Sequence, residues 1–233
     1  MTKQREIHIP NLTGQIQRDL GLNKPDQLDE AYVAMLKQFN LSTELLSAKA
    51  KSEHIALYKE DVEQLNKVSA QLDTAERQGN LVGLGVYRSL KSTEMQLLNA
   101  VYLHELYFAN ISDPHSQINM NTLSYMRLER DFGTFNDWQF DMIACTMAAQ
   151  NGWAVTGFST FLQRFVNFFV DGDKAAMPVG VYPVIVIDVH EHAYFRDYLN
   201  DRKSYVYAMM KELRWDVIEE RFKRADSVVA AMR

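Results

Sequence analysis

The sequence predicts an α+β fold, with an α-helical hairpin domain over residues 1–112 followed by a mixed α/β domain over residues 113–233. Three observations carry this. Apolar residues recur at helical spacing through the first half. A short apolar run at 181–187 (Val-Tyr-Pro-Val-Ile-Val-Ile) has the character of a buried strand. Between the halves, Ile111-Ser112-Asp113-Pro114-His115 breaks the helical pattern with a proline.

The elements follow in order. Residues 7–12 (Ile-His-Ile-Pro-Asn-Leu) read as an extended arm, because Pro10 blocks a helix. Asn23-Lys24-Pro25 reads as a helix start, with asparagine as N-cap and proline in the first turn. Leu28, Tyr32, Met35, Leu36 and Phe39 then form one apolar stripe. The pattern continues, polar-rich, over 53–77, where Ile55, Leu57, Val62, Leu65, Val68 and Leu72 are the expected core contacts. Gln78-Gly79-Asn80 ends it, and Gly83 and Gly85 support a turn. A strong helix is expected over 92–110. In it His104 shares a face with Ala100, Val101, Tyr107 and Phe108, so it is expected to be buried. In the second half, 135–149 reads as a helix. Residues 152–155 and 158–169 are aromatic and β-branched and read as strands, with a helix left open for the latter. The run at 181–187 is the clearest strand, and Asp188 follows it directly. Helical patterns resume near 194. Trp215-Asp216 with Glu219 resembles a capping box in its aspartate variant.

Composition bounds the function. A formal charge of −5 over 233 residues, with no basic stripe, argues against a nucleic-acid partner. The basic stretch at 211–214 is interrupted by Glu212. No apolar run approaches the ~20 residues that span a bilayer, so no membrane association is expected. Met1-Thr2-Lys3-Gln4-Arg5-Glu6 has no apolar segment behind it, so no signal peptide is expected and the cytoplasm is the default location. Cys145 is the only cysteine, which excludes an internal disulfide and a thiolate metal cluster.

Chemistry concentrates at Asp188-Val189-His190-Glu191-His192. A carboxylate at a strand end with a histidine four residues on can aim both groups into one cleft. With His104 this offers two imidazoles and one carboxylate, a donor set suited to iron or manganese. By spacing alone, a histidine on an apolar helix face such as His104 is more often a satisfied core residue than a ligand.

The segment Asp188-Val189-His190-Glu191-His192-Ala193-Tyr194 resembles the Asp-Val-Trp-Glu-His-Ala-Tyr signature of iron/manganese superoxide dismutases, with His190 in place of the tryptophan. Further matches are Ile9-Pro10-Asn11-Leu12, Tyr32-Val33, His104-Glu105-Leu106-Tyr107-Phe108, Phe132-Gly133-Thr134-Phe135, Gly152-Trp153-Ala154, Trp215-Asp216 and Arg221-Phe222. The resemblance implies a small antiparallel sheet in the second domain and one Fe or Mn per subunit. It implies His104, Asp188 and His192 as metal ligands, Tyr32 in the substrate funnel and Trp153 as an aromatic wall. It also implies a homodimer in which Glu191 bridges to His192 of a second copy.

By the same resemblance several positions depart from the family. Lys24 falls where the first ligand histidine belongs, and a protonated lysine cannot bind a metal. Asp26, Glu30 or the nearby His54 could substitute for it, although none falls in register. Leu28 and Phe195 stand where a gateway histidine and its tyrosine partner are expected, making both pocket walls apolar. Ala100 stands where some members have a glutamine, and no glutamine occurs in 171–182. The stretch from Tyr32 to His104 is longer than the family's, which predicts an extra helix near 53–77. His190 reads as a replacement ligand, an acid–base group or a filler.

The leading expectation is thus a divergent, metal-dependent oxidoreductase with a two-histidine, one-aspartate site, acting on an oxygen species or another small molecule. Tyr32 or His190 would supply a proton or orient that substrate. The alternatives are a catalytically silent dimeric interaction protein on the same fold, and a superoxide dismutase with a substitute ligand.

Overall fold

The computed structural model describes residues 31–77, 84–111, 116–171 and 177–231. Within them, two long helices, α1 (Ala48–Asp73) and α2 (Gly85–Asn110), pack against each other as a hairpin. Helices α3 (Leu123–Phe132) and α4 (Phe135–Ala148) follow, then strands β1 (Gly152–Ser159), β2 (Arg164–Asp171) and β3 (Val181–Asp188). Three helices close the chain: α5 (Glu191–Tyr198), α6 (Arg202–Lys211) and α7 (Trp215–Ala231).

Helix α1 starts at Ser47, whose side chain accepts from the Ala50 N–H and so satisfies one of the free donors of the first turn. Ala50, His54, Tyr58, Val62, Leu65, Ser69 and Leu72 are buried on it, at the three-to-four residue spacing of one helical face. That face meets Val101, His104 and Phe108 of α2 in the shared core.

Residues 31–43 contain no helix, which corrects the expected continuation of a first helix to Phe39. They run extended and antiparallel to α1, because that helix supplies hydrogen-bonding side chains to their backbone. The Tyr32 N–H donates to Ser69 Oγ (2.7 Å), the Ala34 N–H to Asn66 Oδ1 (2.7 Å) and the Lys37 N–H to Tyr58 Oη (3.1 Å). Lys51 Nζ then donates to the Leu41 and Thr43 carbonyls. The helix expected as an addition near 53–77 is therefore the first arm of the hairpin itself. Lys24, Leu28, Asp26, Glu30 and the arm at 7–12 lie outside the described residues.

The sheet is antiparallel in the order β2-β1-β3. The central strand β1 is buried along its whole length, and β3 is buried from Pro183 to Asp188. The segment 158–169, for which a helix had been left open, holds the end of β1, a turn and most of β2. In the register Trp153 pairs with Asp188, which sets an aromatic wall beside the last residue of β3. Gly152 is required next to it. A Cβ there would lie 1.9 Å from the Val170 carbonyl oxygen.

One buried core runs from Leu46 on the hairpin side to Ala225 on α7, so both halves of the chain contribute to it. Arg221 ties it together from α7. Its guanidinium donates to the carbonyls of Leu106 and Val184 and to Asn110 Oδ1, joining α2 to β3.

Candidate metal centre

Where β3 ends, the backbone turns at once into α5. The Val189 N–H donates to the Gly152 carbonyl (2.8 Å), and His190 occupies the N-cap of α5 in extended conformation. His192 then lies in the first turn of α5, four residues after Asp188, and its Nε2 stands 3.2 Å from Asp188 Oδ2. The hairpin delivers two more imidazoles to the same oxygen. His54 Nε2 lies 2.9 Å from Asp188 Oδ2, and His104 Nε2 lies 3.8 Å from it. The four donor atoms lie within 4.8 Å of one another.

The cluster therefore holds three histidines and one aspartate, where the sequence reading had two histidines, one aspartate and an open position. His54 fills that position, one of three substitutes the sequence offered although out of register. A signal was present: His54 stands four residues before Tyr58 and eight before Val62, on the buried face of α1. The Tyr32-Val33 pair drew the register to Lys24 instead. The structure does not bring Tyr32 to the cluster. Its hydroxyl donates to Glu94 and its backbone to Ser69, which is 15 positions beyond His54 and so roughly 22 Å along the helix axis.

The donor atoms suit a cation. Nitrogen and oxygen ligands about 2.1 Å from one ion, at 90–120° to each other, stand roughly 3.0–3.6 Å apart, and the three imidazole nitrogens stand 2.9, 3.2 and 3.8 Å from Asp188 Oδ2. His104 gives the sharpest indication. Its Nδ1–H donates to the Ala100 carbonyl (2.9 Å), which leaves Nε2 as the lone-pair nitrogen. That Nε2 is buried without a hydrogen-bond partner. A buried acceptor left unpaired is costly, and an ion among these four groups would satisfy it.

The electrostatics favour deprotonated donors. Burial, reinforced by the neighbouring His54, pushes His104 down to about 3, with Asp188 opposing the shift. Burial likewise lowers His54. Burial alone would raise the Asp188 carboxyl, but His190 and His192 outweigh it and hold it well below the usual carboxylate range. Neutral His54 and His104 beside an ionised Asp188 are the protonation states in which these side chains bind a metal.

Further hydrogen bonds hold the four groups in place. Asp188 Oδ1 accepts from the His190 N–H (2.9 Å) and sits 2.7 Å from His190 Nδ1. His190 is thus occupied with Asp188 and is not one of the four converging groups. The Asp188 carbonyl accepts from the Tyr205 hydroxyl (2.6 Å), which also pairs with Tyr107 (3.0 Å). The Trp153 ring meets His104 edge-on at 4.8 Å.

Two openings reach the cluster. A cavity of about 390 Å³ is lined by Asp61, Gln96, Asn99, Trp153, His190 and His192, among others. Burial raises the Asp61 carboxyl there to about 6, with His192 and His190 opposing, and its Oδ2 lies 3.4 Å from His104 Nδ1. On the other side a groove of about 740 Å³ runs past His54, Leu57, Glu191, His192 and Phe195. Phe195 is half exposed on it, and the Glu53–Arg196 ion pair joins α1 to α5 at its rim.

The family model described as iron/manganese superoxide dismutases, C-terminal domain, matches residues 121–221. Among curated relatives, a superoxide dismutase [Fe] of Aquifex pyrophilus is 33% identical over 181 residues, covering 76% of this chain and 84% of the relative. A superoxide dismutase [Fe] of Cupriavidus metallidurans is 31% identical over 70% of this chain and 81% of the relative. A superoxide dismutase [Mn] of Mycolicibacterium smegmatis is 26% identical over 78% of this chain and 84% of the relative. Fold, histidine–aspartate cluster and similarity over most of its length together show that this chain belongs to the iron/manganese superoxide dismutase family.

Proposed function

We propose that the chain is an Fe- or Mn-dependent superoxide dismutase whose ion is held by His54, His104, Asp188 and His192. The observation that carries the reading is the convergence of three imidazole Nε2 atoms on Asp188 Oδ2, with His104 Nε2 otherwise orphaned. The overall reaction converts two superoxide ions and two protons into dioxygen and hydrogen peroxide. A bound Fe or Mn supplies the one-electron acceptor and donor for it. The chain's own residues do the rest. The Ala100 carbonyl and Asp188 orient the imidazoles. Trp153 keeps water from the His104 face. Asp61, whose carboxyl burial raises to about 6, takes up and releases a proton at the cavity just below neutral pH. Phe195 walls the groove.

We further read the groove past Glu191 as the seat of a second copy. Glu191 is exposed beside the partly exposed His192, with apolar Leu57, Phe195 and Leu199 around them. That arrangement supports a homodimer joined near the metal centres. Light scattering of wild-type and Glu191→Lys protein tests it, and a wild-type monomer sinks the dimer reading.

The test of function is reconstitution with iron or manganese, metal analysis, and a dismutase assay against the His54→Ala variant. Stoichiometric metal and activity lost in the variant are expected. Fully metallated protein no more active than the free ion would remove the assignment.

A further inference from the structure

We propose that His190 is a positioning residue for the metal centre: its ring and backbone N–H groups together hold Asp188 Oδ1, weaken the donation of the carboxylate through Oδ2, and so raise the reduction potential of the ion bound there. This rests on the metal-binding reading above and adds a role for a side chain outside the four converging groups.

The geometry carries it. Asp188 is fully buried and its two oxygens are divided. Oδ2 faces His54, His104 and His192, while Oδ1 lies 2.9 Å from the His190 backbone nitrogen and 2.7 Å from its Nδ1. An ionised carboxylate only accepts, so Nδ1 at that distance bears the hydrogen. The ring is held in place for this. It lies parallel to His192, with centroids 4.9 Å apart and 10° between planes, and meets Trp153 edge-on at 5.3 Å.

Two donors on one carboxylate oxygen withdraw charge from the other. A less basic ligand loses more of its stabilisation of the oxidised, more highly charged ion than of the reduced one, which shifts the couple toward the reduced ion. The family signature has tryptophan at this position. An indole carries its N–H one atom farther from Cβ than Nδ1 of histidine, so the ring contact to Oδ1 belongs to this chain's histidine.

The experiment loads wild type, His190→Leu and His190→Asn with iron, measures metal content, and then determines midpoint potentials by optical redox titration. Asparagine places an amide N–H where Nδ1 stands, and leucine has nearly its shape without the donor. His190→Met, which has no side-chain donor, is a second donorless variant should His190→Leu not fold. The donorless variants are expected to shift the equilibrium about tenfold toward the oxidised ion, about 59 mV for one electron. His190→Asn is expected to stay at the wild-type potential. Donorless variants at the wild-type potential overturn the proposal, as does His190→Asn falling as far as they do. Wild type that takes up no iron overturns the metal reading together with this one, and metal content reports that separately from potential.

Discussion

At the scale of single residues, the site depends on His54 as much as on the histidines of the Asp188–Tyr194 segment. Its Nε2 is 2.9 Å from Asp188 Oδ2 and its ring is almost wholly buried between α1 and α2. Replacing it with alanine removes one of four donors. Metal affinity, measured by competition with a chelator, is expected to fall by more than the ~10–100-fold typical of losing an outer-shell partner. Lys24→Ala, at the position the sequence register favoured, is expected to leave affinity unchanged. A second residue-scale prediction concerns Tyr205, whose hydroxyl donates to the Asp188 carbonyl in a fully buried setting. Tyr205→Phe leaves that carbonyl one donor short, and urea unfolding is expected to show a loss of about 1–3 kcal/mol. His104, Asp188 and His192 were legible because a dense motif and an apolar helix face each mark their residues locally. His54 stood only as one of three possible substitutes, because a lone histidine in a polar-rich helix is singled out only once the phase of that helix is known.

At the scale of elements, the centre is assembled from the early turns of α1, the last two turns of α2 and the junction from β3 to α5. The β1 strand backs that junction, and its fit to β2 at Gly152 admits no side chain. Gly152→Ala is therefore expected to push β1 from β2 and destabilise the fold by about 1–3 kcal/mol or more. The melting temperature measures the loss, and a smaller metal content is expected to accompany it because Trp153 and Asp188 are register partners across β1 and β3. The 181–187 strand and the 92–110 and 135–149 helices were readable because each buries a continuous apolar face. The extended 31–43 segment was not. Its apolar residues repeat as in a helix, yet its conformation is set by Ser69, Asn66 and Tyr58 of α1, which are remote in sequence.

At the scale of the whole molecule, folding concentrates titratable groups in one buried place, and stability acquires a pH dependence. His104 falls from 6.5 to about 3 on burial, and His54 is lowered as well. Below about pH 6.5 the unfolded chain takes up protons that the native cluster refuses, so stability drops as pH falls. Asp188, whose carboxyl is held well below 3.8, acts in the same direction at lower pH. Thermal melts of the metal-free protein are expected to show a steady decrease in Tm from pH 7 toward 4. The His54→Ala variant is expected to show a shallower decrease, since one refused proton is gone. A metal-free melting curve flat across that range contradicts the buried neutral histidines.

The sequence by itself determined the α+β class, the buried strand leading to Asp188, and the family, because these reside in local periodicity and contiguous motifs. The tertiary structure alone decided that the first hairpin helix is Ala48–Asp73 and that its His54 completes the cluster. It also decided that Tyr32 lies far from the cluster and that His190 grips Asp188 from behind. The reason is physical. His54 and His104 are brought to the Asp188–His192 pair only by packing. Helix phase and strand register, which no local pattern specifies, set which side chains meet.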